Sequence, residues 1–144
     1  MTLAVDISNY SGPISVQQAQ DLYAAGVRRA IVQAVNERVL VHREQIPNLL
    51  AAWIEVQGYV YVWFSAGVEF VRERVRWACG EFDRYPIKMV WLDCEQSPTD
   101  QPPFDHVLMP TSYIIRAAVE EVRDAGYSPG IYTAKWWWGP GTSD

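Results

Sequence analysis

Cysteine is scarce in this chain: Cys79 and Cys94 are the only two among 144 residues. Their separation fits neither a metal-ligand spacing nor a disulfide framework, so both are expected as buried free thiols. Histidine is as rare. His42 and His106 stand on polar, loop-like stretches with no second His or Cys at ligand spacing, and no metal site is expected. No apolar run approaches the roughly 20 residues needed to span a bilayer, so no membrane association is expected. The opening Met1-Thr2-Leu3-Ala4-Val5-Asp6 lacks a charged n-region and an apolar h-region, so no signal peptide is expected. Basic residues are in the minority, 12 Lys and Arg against 17 Asp and Glu for a net charge of −5. They form no stripe, which removes nucleic acid from the expected partners. A Gly-rich phosphate loop is also missing. After Ile7 the chain reads Ser8-Asn9-Tyr10-Ser11-Gly12-Pro13, which argues against a nucleotide-binding turn.

Aromatic residues, by contrast, are plentiful: seven Trp, eight Tyr and four Phe make 13% of the chain. They supply either an aromatic core or flat faces on which sugar rings stack. The length suits one domain, residues 1–144, large enough to bury a core. Within it a unit recurs: an apolar strand, a polar loop, a helix-length segment, a glycine, then the next strand. Strands are expected at Leu3–Ile7, Arg29–Ala34, Tyr59–Phe64, Ile87–Asp93 and Gly130–Thr133. Helices are expected at Ser15–Ala25, Glu44–Gln57, Ala66–Asp83 and Thr111–Ala125. Ser15 and Thr111 are the expected N-caps, and Gly26, Gly58 and Gly126 the expected C′ residues. Strands that alternate with helices imply parallel βαβ units. Five such units allow a complete doubly wound sheet or an incomplete (β/α) barrel. The longest connection, Gln96–Met109, holds Pro98, Pro102 and Pro103 and follows the fourth strand, where a functional loop is expected.

That fourth strand carries the sharpest chemical signal, Val90-Trp91-Leu92-Asp93-Cys94-Glu95. Residues two apart on a strand share a face, so Asp93 and Glu95 point together while Leu92 and Cys94 face the helix layer. In parallel α/β folds the C-terminal strand ends form the active-site rim. Two carboxylates held close resist joint ionisation, so one is expected to keep its proton to higher pH. An acid beside an ionised carboxylate is what glycoside hydrolysis requires. Asp6 ends the first apolar strand, and a parallel sheet brings it to the same rim. Taken alone, Asp6 is equally a cap or turn residue. Arg72, Arg74 and Arg76 with Glu69 and Glu73 are expected to form a solvated, ion-paired helix face.

These same residues carry a resemblance to a known family. Asp6-Ile7-Ser8-Asn9-Tyr10-Ser11-Gly12 resembles the opening segment of the family 25 glycoside hydrolases, which are lysozyme-type muramidases. Trp91 to Glu95 resembles their Asp-x-Glu strand. Gly126 to Thr133, followed by Trp136, Trp137 and Trp138, is similar to their Gly-hydrophobic-Tyr-Thr strand and trailing aromatics. Gly58 to Phe64 is similar to their third strand. The motifs fall in family order over nearly the whole chain. The resemblance implies a flattened TIM-like barrel of five βα units followed by three further strands. It implies hydrolysis of the β-1,4 bond between N-acetylmuramic acid and N-acetylglucosamine in peptidoglycan, without a cofactor. Glu95 would be the general acid, with Asp93 and Asp6 lining the same pocket. Tyr10, Tyr61, Trp63, Tyr132 and Trp136 would shape the sugar subsites. The Trp136–Trp138 run could equally be core for the further strands.

The sequence departs from the family in three places. The second strand ends Gln33-Ala34-Val35-Asn36-Glu37 without the family's lysine and glycine, and Val60-Tyr61-Val62 lacks its histidine. The chain ends at Asp144, before the three further strands, so an incomplete barrel is expected, or one that another chain completes. The expected partner is a peptidoglycan glycan strand, and the site of action lies outside the cytoplasm, in the cell wall, reached without a signal peptide as a phage-released endolysin would reach it. Two other functions fit the same residues: a catalytically inactive glycan-binding module, and a small doubly wound interaction domain.

Overall fold

A computed structural model describes residues 3–95 and 111–133. Five strands, β1 Leu3–Ile7, β2 Val27–Gln33, β3 Glu55–Tyr61, β4 Met89–Asp93 and β5 Ser128–Tyr132, alternate with four α-helices. These are α1 Val16–Ala24, α2 His42–Ala51, α3 Val68–Phe82 and α4 Thr111–Asp124. Every neighbouring pair of strands is parallel, and the order across the sheet is β1-β2-β3-β4-β5. This order decides between the two expected architectures. A doubly wound sheet reverses direction at a switch point and carries helices on both faces. Strands added always on the same side, through right-handed crossovers, leave all helices on one face. The protein is therefore an α/β sheet of the barrel type. Among the described residues β1 and β5 are its two open edges.

Alternation along each strand separates the two faces. Ile7, Ala30, Val32, Val56, Val60, Val90 and Leu92 are buried under the helices with Ala19, Ile46, Leu49, Val71, Val75, Phe82, Ile114 and Ala118. The opposite face carries Asp6, Ile31, Tyr59, Trp91, Asp93 and Tyr132 and is covered by no helix among the described residues. Cys79 and Cys94 are free and buried in the helix-side core, as expected.

Local signals hold at most element ends. Ser15 caps α1 in a full capping box with Gln18, and Gly26 and Gly126 adopt positive φ after α1 and α4. Between α2 and β3 the expectation fails. The helix stops at Ala51 rather than Gln57, and Glu55, Val56 and Gln57 belong to β3. The left-handed residue there is Trp53, at φ 63°, not Gly58. Trp53 N–H donates to Leu50 O at 3.0 Å and Ile54 N–H to Leu49 O at 3.1 Å, a Schellman closure with tryptophan at the C′ position. Gly58 is a glycine for another reason: a Cβ there would lie 2.3 Å from the Phe82 ring.

Two further expectations are corrected. His42 is not on a loop but buried at the start of α2, with its Nε2 3.1 Å from Glu81 Oε2. Arg72 and Arg76 pair with Glu121 of α4, and Arg74 with Glu37, rather than with Glu69 and Glu73. The arginines therefore join α3 to its neighbours instead of lacing one helix face. His106 lies outside the described residues.

Candidate active site

The helix-free face of the sheet encloses a cavity of about 250 Å³, lined by Asp6, Ile31, Tyr59, Trp91, Asp93, Glu95 and Tyr132. All five strands contribute, because each presents its inward-facing residue near its C-terminal end. Asp6 and Asp93 stand three strand spacings apart, about 14 Å on a flat sheet. That they share one cavity reflects the curvature of the sheet.

Each wall is held by its own local device. Trp91 donates its indole N–H to Gln57 Oε1 at 2.8 Å, and Gln57 in turn donates to Glu55, which pairs with Arg29 at 3.0 Å. The Trp91 ring lies across β5 at Gly130, where a Cβ would approach it to 2.5 Å. Gly130 therefore makes room for an aromatic floor. The loop after β1 is fastened from below: Asn9 N–H donates to Gln33 Oε1, Gln45 Nε2 to Ser8 O and Gly12 O, and Asn48 Nδ2 to Ile14 O. This turns the β1–α1 connection into a rigid rim.

The electrostatics are those of three acids and no cation among the lining residues. The Asp93 carboxyl is pushed up to about 7 from an ordinary 3.8, first by burial, then by the charges of Glu95 and Asp6. Its Oδ1 is buried without a hydrogen-bond partner among the described residues. A buried acid with no donor to steady its anion keeps its proton. Near neutral pH the cluster thus carries a shared proton whose residence is Asp93. The phenols follow the same field: burial and the Asp93 and Asp6 charges raise Tyr59, and Glu95 foremost raises Tyr132. A phosphate ligand would meet three carboxylates and no basic group, whereas a neutral polyol would meet acceptors, a donor acid and an aromatic face. Among the described residues no three His, Cys, Asp or Glu are grouped to hold a metal ion, and no helix is long and apolar enough to cross a membrane.

Of the expected site residues, Asp6, Asp93, Glu95 and Tyr132 line the cavity. Tyr61 and Trp63 lie beside it, in edge contact at 5.0 Å between ring centroids. The Tyr61 hydroxyl donates to the Glu95 backbone carbonyl at 2.5 Å, so it braces the site from the sheet. Tyr10 sits on the rim in a single 3-10 turn and is 92% exposed. Trp136 lies outside the described residues. Ile31, Tyr59, Trp91 and Gln57 were not anticipated. Tyr59 and Trp91 are two residues before Tyr61 and Asp93, so strand alternation alone places them on the same face.

Neither a protein-family model nor a curated protein sequence matches this chain. A solved structure, that of a family 25 glycosyl hydrolase from Bacillus anthracis, superposes with a TM-score of 0.61 at 18% sequence identity. The match covers 92% of this chain and 60% of the other. The fold is that of a family 25 glycosyl hydrolase. The likeness is one of fold: five parallel strands alternating with four helices, with the cavity here at the C-terminal strand ends.

Proposed function

We propose that the protein is a glycoside hydrolase that cuts the β-1,4 bond between N-acetylmuramic acid and N-acetylglucosamine in peptidoglycan. The observation that carries this reading is the raised Asp93 carboxyl beside Glu95 and Asp6, in a cavity floored by Trp91. Cleavage of a glycosidic bond needs a proton donor for the leaving oxygen and negative charge near the oxocarbenium-like carbon. Three carboxylates that retain one proton near neutrality supply both. Glu95, nearest the end of β4, is the general acid in this reading, delivering to the leaving oxygen the proton that the cluster holds at Asp93 when the cavity is empty. Asp93 and Asp6 hold the acetamido group and stabilise the developing positive charge. Trp91 and Tyr132 stack on the sugar, and Tyr10 extends the contact along the rim. Residues 1–144 belong to a single domain of this type, no cofactor takes part, and the substrate lies in the cell wall, outside the cytoplasm.

A second reading, a glycan-binding module without turnover, is favoured by the two open sheet edges, which leave the cavity wall incomplete among the described residues. The readings part on chemistry. Purified peptidoglycan is incubated with the protein, reduced with borohydride and hydrolysed. Conversion of muramic acid to its reduced form marks a muramidase. Retention on peptidoglycan with no newly reduced sugar marks the binding module.

A further inference from the structure

The end of β4 projects beyond the backbone ladder of its neighbours, and it is held there by side chains. Successive carbonyls of a strand point to alternate sides. On the β3 side, Val62 N–H donates to Asp93 O at 3.0 Å, and on the β5 side Cys94 N–H donates to Tyr132 O at 2.8 Å. Among the described residues the backbone ladder stops there. The Thr133 hydroxyl, on the β5 side, then donates to Cys94 O at 3.0 Å, and the Tyr61 hydroxyl, on the β3 side, to Glu95 O at 2.5 Å. The carbonyls of Asp93, Cys94 and Glu95 are thus captured in turn from β3, β5 and β3.

We propose that Tyr61 and Thr133 are positioning residues, whose hydroxyls extend the sheet past its backbone ladder and keep Glu95 on the same face as Asp93. A strand end without such partners turns its carbonyls to water and frays. Glu95 is the last described residue of this extension, and among the described residues the two hydroxyls are what hold its backbone in line. The Tyr61 ring is itself steadied edge-on by Trp63. This assignment takes Tyr61 out of the sugar-contacting set and gives Thr133 a part that its position in the sequence did not reveal. The effect on turnover rests on the hydrolase reading. The effect on the geometry of the two acids does not.

The test compares wild type with a Tyr61→Phe/Thr133→Val double variant, which keeps both shapes and removes both hydroxyls, and with Thr133→Ser, which keeps the donor. The groups that face Asp93 are Glu95 on its own strand, Asp6 on β1, Tyr59 and Tyr61 on β3, and Tyr132 on β5. The reporter is the Asp93 carboxyl, followed by carbon NMR against pH. With Glu95 released, its repulsion on Asp93 weakens, and the midpoint near 7 falls by about one unit. Thr133→Ser keeps the wild-type midpoint. In the active enzyme the double variant loses about tenfold or more in kcat, with KM within about twofold. A folded double variant whose Asp93 titrates as in wild type overturns the proposal, and so does a Thr133→Ser variant as impaired as the valine. If wild type proves to have no turnover, the hydrolase reading falls and the Asp93 midpoint alone upholds or overturns the clamp. If the double variant does not fold, the two single variants carry the same comparison, each with a smaller displacement of the midpoint.

Discussion

Two carboxylates on opposite faces of the sheet, one buried and one half-buried, have been treated in opposite ways. Glu81 lies in α3 under the helix layer, and Asp93 lies in β4 on the cavity side. Glu81 is surrounded by donors: Arg43 binds both its oxygens at 2.7 and 2.8 Å, His42 approaches at 3.1 Å and Arg84 at 3.5 Å. Arg43 foremost holds its carboxyl down to about 2. Among the described residues Asp93 has no basic neighbour, and one of its oxygens stands buried without a partner. Its neighbours are two further acids, and its carboxyl rises to about 7. The same functional group is thus a structural anion in one place and a proton reservoir in the other. Loss of solvent acts on both. What differs among the described residues is whether a counter-charge stands beside the carboxyl, and a perturbed acid that lines a cavity marks a candidate functional site.

The largest expected effect is catalytic. Glu95→Gln, nearly isosteric, removes the proton donor, and turnover of peptidoglycan should fall by about a thousandfold or more while binding persists. On the structural side, Glu81→Ala removes the buried acid that pairs with the half-exposed Arg43 and leaves the buried His42 without its partner. It should cost about 2 kcal/mol in denaturant unfolding, with no change in the titration of the cavity. A loss as large in Asp93→Asn would break the contrast between the two acids.

The pH dependence sharpens it. Glu81 is depressed in the folded state, so its contribution is present above the unfolded pKa of about 4.5 and is lost as pH falls toward 2. Asp93 is raised, so the folded state binds more protons than the unfolded one between 3.8 and about 7, and stability declines as pH rises through that window. Asp93→Asn should therefore stabilise the protein at pH 8, by about 2 kcal/mol once solvent in the cavity is allowed for. At pH 3.5 it should change little. Equal effects at the two pH values would contradict the assigned proton. The smallest effect concerns neither acid. Trp53 holds a left-handed backbone that costs a bulky residue about 1 kcal/mol, and its side chain is 83% exposed and gains little packing in return. Trp53→Gly should raise the unfolding free energy by about 0.5 kcal/mol, the relief being offset in part by glycine's greater freedom when unfolded.

Much of this arrangement was legible in the residues themselves. The period-two alternation of Val90-Trp91-Leu92-Asp93-Cys94-Glu95 correctly sent the two acids to one face and Leu92 and Cys94 to the other. The parallel unit brought Asp6 to the same cavity. The end of α2 was not legible, because no glycine marks it. Trp53 takes the left-handed turn instead, and Ile54-Glu55-Val56-Gln57 prolongs an apolar spacing that a helix also satisfies. Gly58 therefore looked like a helix terminator, although its real constraint is the Phe82 ring across the core. The Glu81 cluster was hidden for a related reason: its partners His42 and Arg43 are 39 and 38 residues away, and only the packing of α2 on α3 joins them. Strand alternation is a local rule, but a counter-charge is a tertiary fact.

The central claim is most directly tested by release of reducing groups from purified peptidoglycan, followed with wild type and Glu95→Gln at equal concentration. Steady release by the wild type that collapses in the variant is the result this account predicts. No release from a folded, monodisperse wild type, or equal release from both proteins, would contradict it.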